Sequence, residues 1–109
     1  MQTHELLFIN PMMHGRLNVT VRKGDKWCKA LPGDRLSIRA TAQPGNEIGE
    51  AEVLMAVPWH DSLNIPPAWL KYEHDPSCTT QEGLNSAMDQ AYPDGWVEEG
   101  VTILFFMVD

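Results

Sequence analysis

Thr20 and Arg22 stand two residues apart in Leu17-Asn18-Val19-Thr20-Val21-Arg22, a stretch in which apolar and polar residues alternate. A period of two puts the polar pair on one side of a β-strand. A threonine hydroxyl both donates and accepts hydrogen bonds, and a guanidinium is a planar, permanently charged fork that grips phosphate or carboxylate through two bonds at once. Lys23, Lys26 and Lys29 follow closely, with Trp27 among them and Arg16 just ahead of the strand. A tryptophan so placed stacks on a nucleic-acid base, an interaction that contributes ~1–3 kcal/mol where it has been measured. The candidate binding set is therefore Arg16, Thr20, Arg22, Lys23, Lys26 and Trp27. The cations would meet phosphate, Trp27 would stack, and Thr20 would hydrogen-bond a base or sugar. The same residues also have a structural reading: Arg22 in an ion pair with Asp25, Asp34 or a helix acid, Thr20 present for its β-branch, solvated lysines, and Trp27 as a lid over one end of the fold.

Other chemistry-bearing residues are less organised. His60-Asp61 and His74-Asp75 suggest metal ligands in company with Cys28 or Cys78, but no pair has the spacing of a zinc site. No metal and no cofactor is expected. Lysines beside Cys28 are the one feature that would lower a thiol pKa, against the alternative of a plain semi-buried cysteine. Trp59, Trp69 and Trp96 read as cover for core surface.

The 109 residues carry 15 acids and 8 bases, a net charge of −7. One hydrophobic core fits this length, so residues 1–109 are read as a single domain. Charge is unevenly distributed. Residues 1–40 hold seven cations against three acids, whereas 41–109 hold Lys71 alone against twelve. A basic segment facing an acidic one predicts a dipolar surface, and the overall negative sign disfavours broad non-specific nucleic-acid binding. The longest apolar run, Ile103 to Val108, is too short for a helical membrane span. Met1-Gln2-Thr3-His4-Glu5 places an acid where a secretory leader carries Lys or Arg. Together with two cysteines that match no disulfide framework, this predicts a cytoplasmic protein.

The elements that must hold the candidates follow from periodicity. Leu6 to Ile9 reads as a strand closed by Asn10-Pro11, and Leu17 to Arg22 as a second. Leu31-Pro32-Gly33-Asp34 is a turn into a third strand through Leu36, Ile38 and Ala40. A fourth runs through Ala51, Val53, Met55 and Val57 and stops at Pro58. Pro66-Pro67 opens a short helix over 68–71. Thr79 and Glu82 have capping-box spacing ahead of Leu84, Ala87, Met88 and Ala91, one face of a helix in which Gly83 costs about 1 kcal/mol relative to Ala. Tyr92-Pro93-Asp94-Gly95 ends it. Val101 to Val108 is apolar on both parities apart from Thr102, the pattern of an inner strand covered on both faces.

Gly15-Arg16-Leu17-Asn18-Val19-Thr20-Val21-Arg22, followed eleven residues on by Gly33-Asp34, resembles the signature of ASCH domains, small barrels related to the PUA RNA-binding domain. Gly15, Arg22 and the Gly33-Asp34 turn carry the likeness, and the late helix and closing strand suit it. The resemblance is nearest to the acetylcytidine amidohydrolase branch, in which Thr occupies the position of Thr20. That branch implies a Lys, a Thr and a Glu acting together. Here the lysine position is Leu17, and after His74 the chain reads Asp75-Pro76-Ser77-Cys78, with Glu73, Asp75 and Glu82 flanking the place of the acid.

The fold expected from both lines is α+β: a small PUA-like/ASCH β-barrel of five to six strands with one or two inserted helices. The leading functional expectation is a binding module for RNA or a nucleoside, modified or not, catalytically degenerate, with its ligand in a cleft between strand 18–22 and the helical insertion. Affinity for RNA should then fall steeply with salt. Two alternatives stand beside it. One is an amidohydrolase of acetylated cytidine; the other is a small acidic protein whose 41–109 surface mimics nucleic-acid charge and docks on a protein partner. No membrane partner is expected.

Overall fold

The computed structural model describes residues 1–9, 12–13 and 15–109. Its strands are β1 (Thr3–Phe8), β2 (Leu17–Lys23), β3 (Arg35–Ala40), β4 (Glu47–Trp59) and β5 (Val101–Val108), with helices α1 (Pro67–Leu70) and α2 (Gln81–Ala91) inserted between β4 and β5. The five strands form one sheet in the order β1-β3-β4-β5-β2, parallel between β1 and β3 and antiparallel elsewhere. The expected Asn10-Pro11 turn lies outside the described residues.

The apolar character of β5 on both parities has a direct use, because the strand lies inside the sheet between β4 and β2. Val101 and Ile103 pack with Val19 and Val21 of β2 and with Leu84 and Met88 of α2. Leu104 and Phe106 pack on the other side with Leu6, Phe8, Leu36, Ile38, Ala51 and Val53. All of these side chains are buried, each large one contributing about 1.5–3 kcal/mol of transfer free energy. The sheet is thus curled over a core of its own side chains, with a second core beneath the helices.

The barrel expectation is corrected: the sheet is open, its edges β1 and β2 being unpaired with each other. The outer edge of β2 already has a partner. Val19 N–H donates to the Tyr72 carbonyl at 2.7 Å and His74 N–H donates to the Val19 carbonyl at 3.0 Å, a parallel bridge opposite Glu73. Once the insertion satisfies those backbone groups, they are no longer available to β1. Across the remaining gap a side chain reaches instead of a ladder: Arg22 Nη1 donates to the Leu7 carbonyl at 2.8 Å.

Two smaller readings are revised. β4 starts at Glu47 and continues through Pro58, which sits opposite Thr102 of β5. Because β3 accompanies only Glu47–Glu52, the missing N–H of Pro58 removes no bond to β3. The N-cap of α2 is Thr80 and not Thr79: Thr80 Oγ1 accepts from Gly83 N–H at 3.1 Å, while the Thr79 hydroxyl donates back to Pro76 O.

The Gly33-Asp34 turn has a latching role. Gly33 takes φ +91°, and the Asp34 carboxylate accepts from Leu31 N–H and Gln2 N–H, each at 3.1 Å, with His4 Nε2 at 2.9 Å. Two of those partners belong to the start of the chain, so Asp34 ties β1 to the head of β3. The His4 hydrogen bond, then those from the Leu31 and Gln2 amides, hold the carboxyl at about 2, below the ordinary carboxylate range. A depressed folded-state value means stabilisation that is complete above the unfolded value, near 4, and is lost as pH falls toward about 2. Melting temperatures measured from pH 5 to pH 2 should therefore fall more steeply for the native chain than for Asp34→Asn. Parallel curves would show that the latch contributes no acid sensitivity.

Candidate functional site

Thr20 and Arg22 share one parity of β2, as the alternation requires, and face the gap between β2 and β1. Thr20 is buried and Arg22 half-buried. Arg22 Nε donates to Thr20 Oγ1 at 3.2 Å, Nη1 reaches the Leu7 carbonyl, and the guanidinium carbon lies 4.8 Å from the centre of the Phe8 ring. Burial lowers the Arg22 pKa, opposed by the charges of Tyr92 and Glu73, but a guanidinium stays charged at any physiological pH.

The segment that occupies the edge of β2 supplies the acid. Glu73 is only 1% exposed, an unusual place for a carboxylate, and its Oε1 sits against His74 Nδ1. The His74 ring in turn packs on Phe8 with centroids 4.4 Å apart. Asp75 opens the single turn Pro76–Cys78, its Oδ1 accepting from Ser77 N–H at 3.0 Å and from the Ser77 hydroxyl at 2.9 Å.

Beside these groups lies a cleft of about 630 Å³, between the end of β1, the edge of β2 and the flank of α2. Thr20, Arg22, Glu73 and His74 form its polar floor, and Phe8, Leu84, Ala87 and Met88 its apolar wall. Cys78 also borders it, but burial pushes that thiol up to about 11, so it is neutral at physiological pH and a poor nucleophile. Thr20 is likewise not activated by its hydrogen-bonding neighbour, because Arg22 donates to the hydroxyl and has no basic form to take its proton. Leu17, at the position where the resemblance implies lysine, pairs with Met107 at the far end of β2. The arrangement is suited to holding a ligand by shape, one fork, one hydroxyl and one carboxylate.

Of the six residues singled out from sequence, Thr20 and Arg22 reach this cleft; the others are dispersed. Lys23 borders a separate hollow of about 340 Å³ with Asp89, Asp94 and Glu98, and lies 3.6 Å from Glu99. Trp27, in the 3-10 turn Lys26–Lys29, is half-buried against the core around Leu36 and Phe106, edge-on to His4 at 6.0 Å, so it is a lid and not a stacking platform at the cleft. Lys26 is exposed on that same turn. Arg16 is exposed, with Nε 3.5 Å from the Val108 carbonyl. Phe8 was not expected as a partner of Arg22, nor His74 as a partner of Phe8. Nothing in local periodicity marks them, since the contact joins three segments distant in sequence. Among the described residues no cluster of three or more His, Cys, Asp or Glu is arranged to hold a metal ion, and no helix is long and apolar enough to cross a membrane.

Comparison with known proteins finds no match: no family model, no curated protein and no solved structure matches the chain. The ASCH and PUA resemblance, with the hydrolase identity it implied, thus finds no support there, and the open sheet contradicts the barrel it implied.

Proposed function

We propose that this chain is a binding module for a nucleoside-sized ligand seated in the cleft between strand 18–22 and α2. The observation that carries the reading is the pairing of an apolar wall with a compact polar floor in about 630 Å³, inside the range of small-molecule sites. A planar heterocycle lies against Leu84, Ala87 and Met88, while its edge meets the N–H groups of Arg22 that Thr20 and Leu7 do not take, a hydroxyl at Thr20 that serves either role, and an acceptor at Glu73. A site that hydrogen-bonds a ligand's polar edge discriminates strongly, because an analogue without that edge leaves buried polar groups unpaired.

A free nucleoside fits better than a strand of RNA. Backbone tracking needs several cations aligned along a groove. Here Arg16, Lys23 and Lys26 are separated from the cleft, and Lys23 is engaged by Glu99. The steep salt dependence expected from the clustered cations of the sequence is therefore replaced by a shallow one. In a thermal-shift series, a matching nucleoside at millimolar concentration should raise the melting temperature, with little change between 50 and 500 mM salt. Short single-stranded RNAs should give no larger shift. If none of the four common nucleosides, nor a set of base-modified ones, stabilises the protein, the reading fails.

A further inference from the structure

We infer that the cleft admits its ligand without a phosphate, selecting a nucleoside over the corresponding 5′-monophosphate. This rests on the nucleoside reading above and adds the chemical form that the walls accept. The titratable groups around the cleft are Arg22, Glu73, His74, Asp75, Cys78 and Tyr92. Among them two carboxylates, Glu73 with the His74 ring against it and Asp75, stand against one guanidinium, and Cys78 is neutral.

That guanidinium is also partly engaged, with two of its five N–H groups given to protein acceptors. Its Nε is turned to Thr20, its Nη1 to the Leu7 carbonyl, its carbon lies 4.8 Å from the centre of the Phe8 ring, and it feels the charge of Glu73. Proteins hold a phosphate dianion by converging several donors on it, usually backbone amides of a loop or helix start together with Arg or Lys. This cleft lacks that convergence. The part of the first turn of α2 that lines it is Gly83 and Leu84, whose N–H groups are already taken by Thr80 Oγ1 and the Thr80 carbonyl. Lys23, next to Arg22 in sequence, borders the other hollow beside Glu99.

A monophosphate brings a charge of about −1.5 to −2 at pH 7. Near Glu73 and Asp75 it meets more repulsion than one engaged arginine offsets, and the low polarity of Leu84, Ala87 and Met88 weakens screening. The neutral sugar hydroxyl of a nucleoside meets no such opposition.

The test titrates the full chain calorimetrically with cytidine, uridine, adenosine and guanosine and with their 5′-monophosphates, at 50 mM and 500 mM salt. The nucleoside that binds tightest should lose about tenfold or more in affinity when phosphorylated, and the gap should narrow at high salt as the repulsion is screened. Glu73→Gln, which removes one wall charge, should narrow it at low salt. A monophosphate that binds as tightly as its nucleoside, or tighter, overturns the inference while leaving nucleoside binding intact. Absence of binding by these four and by the set of base-modified nucleosides alike overturns the reading beneath it and this inference together.

Discussion

Gly83→Ala is expected to lower the melting temperature of this protein by about 5–15 °C, although it replaces the poorest common helix residue but proline with the best. Helix propensity alone would stabilise α2 by about 1 kcal/mol. Tertiary packing reverses the sign. A Cβ at position 83 would lie 1.8 Å from the Ser77 carbonyl oxygen and 3.2 Å from Thr80 Oγ1. The first obstacle is backbone, held in the turn Pro76–Cys78 by the Asp75 cap, and cannot rotate away as a flexible side-chain tip can. Overpacking of this kind typically costs about 1–3 kcal/mol net, through displacement of one element from another. Here the displaced elements carry the cleft. Ser77, Cys78, Gly83 and Leu84 all border it, so ligand affinity should fall together with stability. Differential scanning calorimetry decides the point. A Gly83→Ala chain as stable as the native one, or more so, would mean that the turn and α2 are free to separate.

The second large effect concerns Arg22. Arg22→Ala should weaken ligand binding about tenfold to a hundredfold, the range expected for losing a hydrogen bond from a charged donor. It should also destabilise the free protein, since Thr20 and the Leu7 carbonyl each lose a partner and the Phe8 face is uncovered. Arg22→Lys separates charge from geometry. An ammonium retains the charge near Glu73, but its three donors radiate from one nitrogen and do not reproduce the planar Nε and Nη1 pair that bridges Thr20 and Leu7. If planar bridging is what matters, the lysine variant will resemble alanine in both affinity and stability. Full rescue by lysine would show that Arg22 contributes charge alone.

Both predictions depend on contacts whose members are spread along the chain, and that decides how much could be read in advance. The strand nature of Leu17 to Arg22 was visible in its alternation, and so was the shared side of Thr20 and Arg22. The inner position of β5 was visible in its two apolar parities, because a strand covered on both faces has no use for polar residues on either. A helix over Leu84 to Ala91 was legible for the equivalent reason, at a period of 3.6. Its exact start was not: Thr79 and Thr80 are both competent caps, and the choice rests on which hydroxyl meets Gly83 N–H. Gly83 itself looked like a flaw in a helix. Its reason, the passage of Ser77 O, lies outside the helix altogether.

The cations illustrate the same division. Seven of them in the first 40 residues suggested one basic face. Composition counts charges but does not orient them, and the turn after β2 sends Lys26 and Trp27 away from the cleft while Lys23 turns toward Glu99. Glu73 shows the converse: a residue that any composition-based reading places on the surface is enclosed because the segment around it fills the edge of β2.

What the amino-acid order settled unaided was therefore local and periodic: which segments are strands or helices, which of their faces are apolar, and that Thr20 and Arg22 point the same way. These follow from side-chain geometry repeating every two or 3.6 residues. Whether the sheet closes, what lies against Arg22, and where a hollow remains were decided by competition for the hydrogen-bonding edge at Val19. Backbone amides are alike in every residue, so no side-chain pattern records which of two distant segments will win them.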